Sequence, residues 1–194
     1  MNATELARLA FRALETGDAA LTRRVLTEDH VNHMAADEPP ACREPGAPGF
    51  LATSAWLRLA FSELGFEELD GVASGDQVVS HVRMTAIHTG PFVVFPPGGK
   101  PQVFPATGRR FSVRQFHLFR LADGRLAEHI AVRDDLGMMT QLGFIPPRPG
   151  TALRLLGLHL AGGARRSARE AVHRADRAAR QAATATTASV PVAK

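Results

Sequence analysis

A chain of 194 residues with 45% hydrophobic side chains has room for one ordinary domain with a core, plus an extension. Its single cysteine, Cys42, excludes an intrachain disulfide and a cysteine-based metal centre, and no run approaches ~18 consecutive apolar residues, so no spanning helix is expected. The net charge of +4 is uneven: residues 1–147 carry 14 Lys and Arg against 17 Asp and Glu, whereas 148–194 carry 9 against 2.

Glu5, Arg8 and Arg12 interrupt the apolar residues of the N-terminus, unlike a secretory leader, which with the lone thiol predicts a cytoplasmic protein. "TELARLAFRALETGD" sets Leu6, Leu9, Ala10, Ala13 and Leu14 on one helical face, with Gly17 just past the end. A short helix is expected from Asp18, with Leu21, Val25 and Leu26 inward, followed by a Pro- and Gly-rich loop through "EDHVNHMAADEPPACREPGAPG". A third helix, from about Gly49 to Glu63, carries Phe50, Trp56, Leu57, Ala60 and Phe61. The period then changes to two. "FEELDGVA" and "QVVSHVRMTAIHTG" flank the turn "SGD", and "RRFSVRQFHLFRL" and "RLAEHIAVR" flank "ADG", which predicts two antiparallel hairpins with Asp123-Gly124 as the strongest turn signal. Between them, "PFVVFPPGGKPQVFPATG" is too rich in proline and glycine for a central strand and is expected as an ordered loop over one end of the sheet. A closing helix at 135–142 precedes "IPPRPG" at 145–150, where prolines and the charge reversal mark a boundary. Helices grouped before an antiparallel sheet mean α+β, most economically a curved sheet wrapping a helix, over residues 1–147.

The stretch "EHIAVRDDLGMMTQLG" ends a strand with two adjacent carboxylates where a helix start needs only one. By period two, Asp134 shares a face with Glu128, Ile130 and Val132, while His129, Ala131, Arg133 and Asp135 take the other. A two-residue turn at Asp123-Gly124 pairs Ala122 with Arg125 and sets His117 opposite Ile130, so Gln115, His117 and Asp134 look into one space; a one-residue bulge reverses that assignment. Asp134 is then a candidate general acid/base and Asp135 the helix cap or a solvated neighbour, the competing reading being Asp134 as cap. Histidines occur at 30, 33, 81, 88, 117 and 129, but His81 and His88 fall on opposite faces and no close ligand spacing is present, so no metal is expected. His117 suits orienting a substrate carbonyl or protonating an alkoxide, or else is hydrogen-bonded structure. His33 and His88 stand beside presumed cavity-mouth loops as lining candidates, and Trp56 is either core or ligand contact. The absence of tyrosine excludes a Tyr-based oxyanion hole.

The N-terminal helix pair, "HVNHMA", "GFLATSAWLRLAF", "HTGPF" and above all "FPATGRRFSVRQFHLFRLADGRLAEHIAVRDDLGMMTQLG" resemble the SnoaL-like polyketide cyclases, also labelled ester cyclases, of the nuclear-transport-factor-2-like group. The resemblance covers 1 to about 147, with Ile130 standing where many relatives carry Trp. It implies an α+β cone, a homodimer by analogy, and a cofactor-free cyclase that closes a ring by intramolecular aldol condensation on a small apolar or polyketide-like substrate. On this reading Asp134 and His117 are catalytic, and His33, Trp56, His88, Gln115 and Ile130 contact substrate. Another isomerase or hydratase on the same cone, or a non-catalytic ligand-binding or dimerisation module, stays open. The discriminator is Asp134: a buried carboxylate with a raised pKa beside a closed apolar cavity favours an enzyme, whereas an exposed cap beside a shallow groove favours a binding or structural module.

In residues 148–194, "GARRSAREAVHRADRAARQAA" aligns Arg166, Arg169, His173, Arg177 and Arg180 on one helical stripe with alanines opposite. The stripe invites nucleic acid or an anionic surface, but without aromatic residues or a base-reading motif a solvated or fraying helix, or a disordered extension, is the simpler expectation, one that a chain ending near Pro147 could lose without cost unless the leucines of "LRLLGLHL" cover the sheet or a partner.

Overall fold

Asn2 accepts the Glu5 N–H at 2.8 Å and Gly17 closes the other end at φ 70°, so α1 occupies Ala3–Thr16 between the two signals in its sequence. The computed structural model describes residues 2–187. Asp18 caps α2, Ala19–Val25, its carboxylate taking the Leu21 N–H. Where a loop is expected, the chain extends as β1, Leu26–Asn32. Two 3-10 turns, Ala35–Asp37 and Pro40–Arg43, then lead to α3, Gly46–Ala60. The long strands follow as β2, Phe61–Ser74, and β3, Gln77–His88. The expected loop contains a ribbon of its own, β4 at Phe92–Val94 and β5 at Gln102–Phe104. β6, Arg110–Ala122, and β7, Arg125–Arg133, form the second long hairpin before α4, Asp135–Leu142.

The main sheet has the order β1-β7-β6-β3-β2, antiparallel apart from the β1–β7 pair. β2 carries an extra residue between Ser62 and Gly65 and another between Glu68 and Asp70, and β7 carries one at Ala127. Such bulges increase local twist and curl the sheet. Its concave face closes on α1, where Leu6, Ala10 and Phe11 meet Val78, Val82 and Phe119. On α3, Trp56 and Ala60 join Phe61, Met84 and Phe111. The architecture is an α+β cone.

Beyond it lie α5, Pro149–Leu160, and α6, Gly163–Thr187. The solvated helix expected here is instead packed along α3: Ala171, Ala175, Ala179 and Ala182 are at most 1% exposed. Their spacing keeps them on one face, and a row of methyl groups lets two helices approach closely. Arg166, Arg169, His173, Arg177 and Arg180 form the exposed face. Among the described residues no helix is long and apolar enough to cross a membrane.

Candidate active site

A cavity of about 280 Å³ opens inside the cone. Phe50, Trp56, Phe61, Phe66, Phe92 and Phe104 supply apolar wall from α3, β2 and the β4–β5 ribbon. Trp56 lines it and also donates its indole N–H to the Val93 carbonyl at 2.8 Å, which fastens the ribbon over α3.

The register of the second hairpin decides which polar groups enter. Ala122 does pair with Arg125, as the two-residue turn requires, but the unpaired Ala127 shifts every later partner by one. His117 therefore faces Ala131, and His129, Ala131 and Arg133 point inward. Ile130 and Val132 point out, 39% and 73% exposed. The proposed sharing of one face by His117, Ile130 and Asp134 is corrected by that single bulge. Gln115 and His117, each 5% exposed, line the cavity as expected.

Four side chains form a hydrogen-bonded line across the sheet wall. His129 Nδ1 lies 3.0 Å from Asn32 Oδ1, His129 Nε2 lies 2.9 Å from His117 Nδ1, and His117 Nε2 lies 3.0 Å from Gln115 Oε1. The Met34 N–H also donates to Asn32 Oδ1, at 3.0 Å, which fixes that atom as an acceptor. His129 must then donate from Nδ1 and accept at Nε2, and His117 must donate from Nδ1. Its Nε2 is left as a bare lone pair, matched when the Gln115 amide turns its NH₂ inward, away from a weak 3.3 Å contact with Met84 Sδ. Burial, then the positive charge of Arg133, pushes the His117 pKa down to about 3, so the ring is neutral. Burial, and then the repulsion that a second proton on the adjoining His117 would meet, hold His129 well below the usual range.

Two further groups reach the cavity from other elements. His30 donates from Nδ1 to the Leu126 carbonyl at 3.1 Å, and its buried Nε2 has no hydrogen-bond partner among the described residues. Glu38, 2% exposed, follows the first 3-10 turn and accepts the Thr53 hydroxyl at 2.6 Å. At the mouth, Arg133 Nη2 sits 3.5 Å from both Asp37 and Asp135, and its buried Nε has no hydrogen-bond partner among the described residues.

The remaining candidates stand elsewhere. Asp134 caps α4, accepting the Gly137 N–H at 2.8 Å on an exposed surface, and is absent from the cavity lining. Gly137 leaves room for that cap, because a Cβ would sit 2.1 Å from the Asp134 carboxylate and push it aside. Asp135, expected as the cap, is the one that lines the cavity. His33 pairs with Glu128 at 3.0 Å outside the cavity. His88 is wholly buried behind it, against Phe61 and Phe144 and 3.3 Å from the Thr107 hydroxyl. Sequence reasoning missed Asn32, Glu38, His129 and Arg133. Among the described residues, no group of three or more His, Cys, Asp or Glu could hold a metal ion.

Comparison with known proteins gives this geometry a context. The family described as SnoaL-like polyketide cyclase matches residues 4–142, so α5 and α6 lie beyond the match. The chain is 34% identical over 146 residues to the aklanonic acid methyl ester cyclase DauD of Streptomyces sp. (strain C5), covering 75% of this chain and 84% of that one. It is 33% identical over 99 residues to the nogalonic acid methyl ester cyclase of Streptomyces nogalater, covering 50% and 67%. Among solved structures, TsrD from Streptomyces laurentii superposes with a TM-score of 0.58 at 27% identity, over 72% of this chain and 93% of that one.

Proposed function

Because the chain belongs to the SnoaL-like polyketide cyclases, we propose that it closes a ring in a polyketide-like methyl ester by intramolecular aldol condensation, with cavity side chains as proton carriers and no cofactor. The observation that carries the reading is His117: a neutral imidazole, held in one tautomer by His129 and Asn32, inside a cavity walled by Phe, Trp, Met and Leu side chains with a few polar groups among them. Such a cavity folds a flexible chain so that carbanion and carbonyl meet, and preorganisation of that kind is worth several kcal/mol of barrier.

The chemistry needs an acceptor for an enol hydroxyl, a cation for the developing alkoxide and a proton carrier. His117 Nε2 fits the first, replacing its contact with Gln115 by one to substrate. Arg133 fits the second through its unpaired Nε. The proton carrier assigned to Asp134 from the sequence is poorly supported, since that carboxylate is engaged at a helix N-terminus outside the cavity.

Purified protein is expected to cyclise aklanonic acid methyl ester, followed by chromatography of the product. His117→Leu should lower kcat/KM by ~10²-fold or more, the scale of one misplaced reacting group. Asp134→Ala should cost ~1 kcal/mol of stability as a lost cap and leave turnover near that of the parent. A folded Asp134→Ala protein that loses ~10²-fold in turnover would restore Asp134 as the acid/base.

The convex sheet face supports the dimer drawn by analogy from the family. Phe116, stacked on His81 at 4.5 Å, is 51% exposed beside Val132 and Ile130. Covering such a patch with a second copy removes apolar area from water. Phe116→Glu is expected to shift sedimentation toward the monomer, and an unchanged mass for parent and variant would assign the face another role.

A further inference from the structure

We infer that Glu38, set into the cavity wall beside Thr53 and Cys42, is the group that takes and returns the proton in ring closure; the inference rests on the cyclase reading above and names the proton carrier that reading lacks. Three carboxylates line the cavity, Asp37, Glu38 and Asp135. Asp37 and Asp135 share Arg133 and have side chains 35% and 57% exposed. Glu38 is 2% exposed, and among the described residues no ion pair holds it. Carboxylates this deep are rarely left unpaired, because burying the charge is costly. A glutamine of the same shape could hold the Thr53 hydroxyl equally well, so the hydrogen bond alone does not account for an acid here. The sheet wall offers no substitute, since the inward residue opposite His117 is Ala131.

The surroundings tune Glu38 for both halves of the reaction. Burial pushes its carboxyl up to about 7, with the Thr53 hydroxyl from α3 and Arg133 from β7 pulling down, Asp37 pushing up and the Cys42 thiol donating a hydrogen bond. The thiol is itself held above its usual range by burial and stays protonated. An acid/base works best with a pKa near the operating pH. His117, at about 3, is too weak a base for a carbon acid.

The step balances within the substrate and one side chain. The Glu38 carboxylate accepts the proton of a C–H flanked by carbonyls, and the C–H electron pair enters the enolate. The enolate carbon bonds to the carbonyl carbon, whose π pair moves to oxygen as alkoxide. The Glu38 carboxylic acid returns its proton to that oxygen, which restores the carboxylate without a co-reactant.

The test uses the full chain and aklanonic acid methyl ester in D₂O, with two readouts, ring closure and C–H to C–D exchange. For the parent protein, kcat/KM should rise with pH through a midpoint near 7, because the base must be ionised. Glu38→Gln should lose ~10²-fold or more in both readouts together with that rising limb, and Glu38→Asp should restore part of the rate. His117→Leu should impair closure more than exchange. If Glu38→Gln does not accumulate folded, Thr53→Val carries the test: loss of its hydrogen bond should move the midpoint upward. Closure by the parent that Glu38→Gln leaves intact overturns the assignment and spares the cyclase reading. Glu38-dependent exchange without closure overturns the cyclase reading and keeps the base. Absence of both in the parent protein overturns both.

Discussion

Mild acid should destabilise this protein by several kcal/mol. Burial holds His30 and His88 at about 4 and His117 at about 3 in the folded state. In the unfolded chain each returns to the ordinary value of ~6.5. As pH falls below ~6.5 the unfolded state takes up protons that the folded state refuses, so stability present at neutral pH is lost on acidification. At pH ~5 each such histidine costs ~2 kcal/mol, or ~6 for three. Glu38 works in the opposite sense. Its folded value of about 7 lies above that of a free carboxyl, so it gains a proton in the folded state over the same interval and returns ~2 kcal/mol. The net loss between pH ~7.5 and ~5 is roughly 4 kcal/mol, a large share of the 5–15 kcal/mol that domains possess.

Urea unfolding at the two pH values measures this directly. The midpoint should fall steeply at the lower pH, and His88→Gln, which leaves the cavity wall untouched, should flatten the dependence by about one histidine's share. Equal midpoints at both pH values would mean that water reaches these rings. The same arithmetic separates structural from reactive titration: His88 contributes to acid sensitivity without lining the cavity, whereas His117 does both.

Local signals made much of the fold legible. The caps Asn2 and Asp18, the left-handed Gly17 and the turn at Asp123-Gly124 each act within a few residues, so the sequence displays them and the structure uses them. β1 was hidden because its buried positions do not alternate and its partner, β7, lies far along the chain. The site depended on something smaller. Nothing about Ala127 announces a bulge, yet its extra residue exchanges Ile130 for His129 at the cavity wall. Glu38 lies in an irregular stretch with no period to read, and its burial comes from α3 and the chain around Cys42. His117, Gln115 and Trp56 were reachable because regular elements carry them.

Removal of everything after Pro147 is expected to lower the melting temperature by ~10 °C, contrary to what composition suggests for an Ala- and Arg-rich tail. Four alanine methyls of α6 are buried, and at ~0.8 kcal/mol for each carbon withdrawn from water they contribute ~3 kcal/mol. The surface they cover includes Ala41, Cys42 and Ala52, which the deletion would bare. α5 adds hydrogen bonds from Arg154 Nη1 to the Ala106 and Thr107 carbonyls, both at 3.1 Å, which tie the segment after β5 in place. For a chain of this size ~1 kcal/mol corresponds to ~2–4 °C. Ala175→Glu sharpens the test. Its charge would enter the α3–α6 contact where Ala175 is fully buried, so one residue should reproduce most of the loss. Arg177→Glu, on the exposed face, should change the melting temperature little. Because Cys42 adjoins Glu38, the truncated protein should also lose turnover. A melting temperature unchanged by truncation and by Ala175→Glu would show that the α6 contact adds nothing to the stability of the cone.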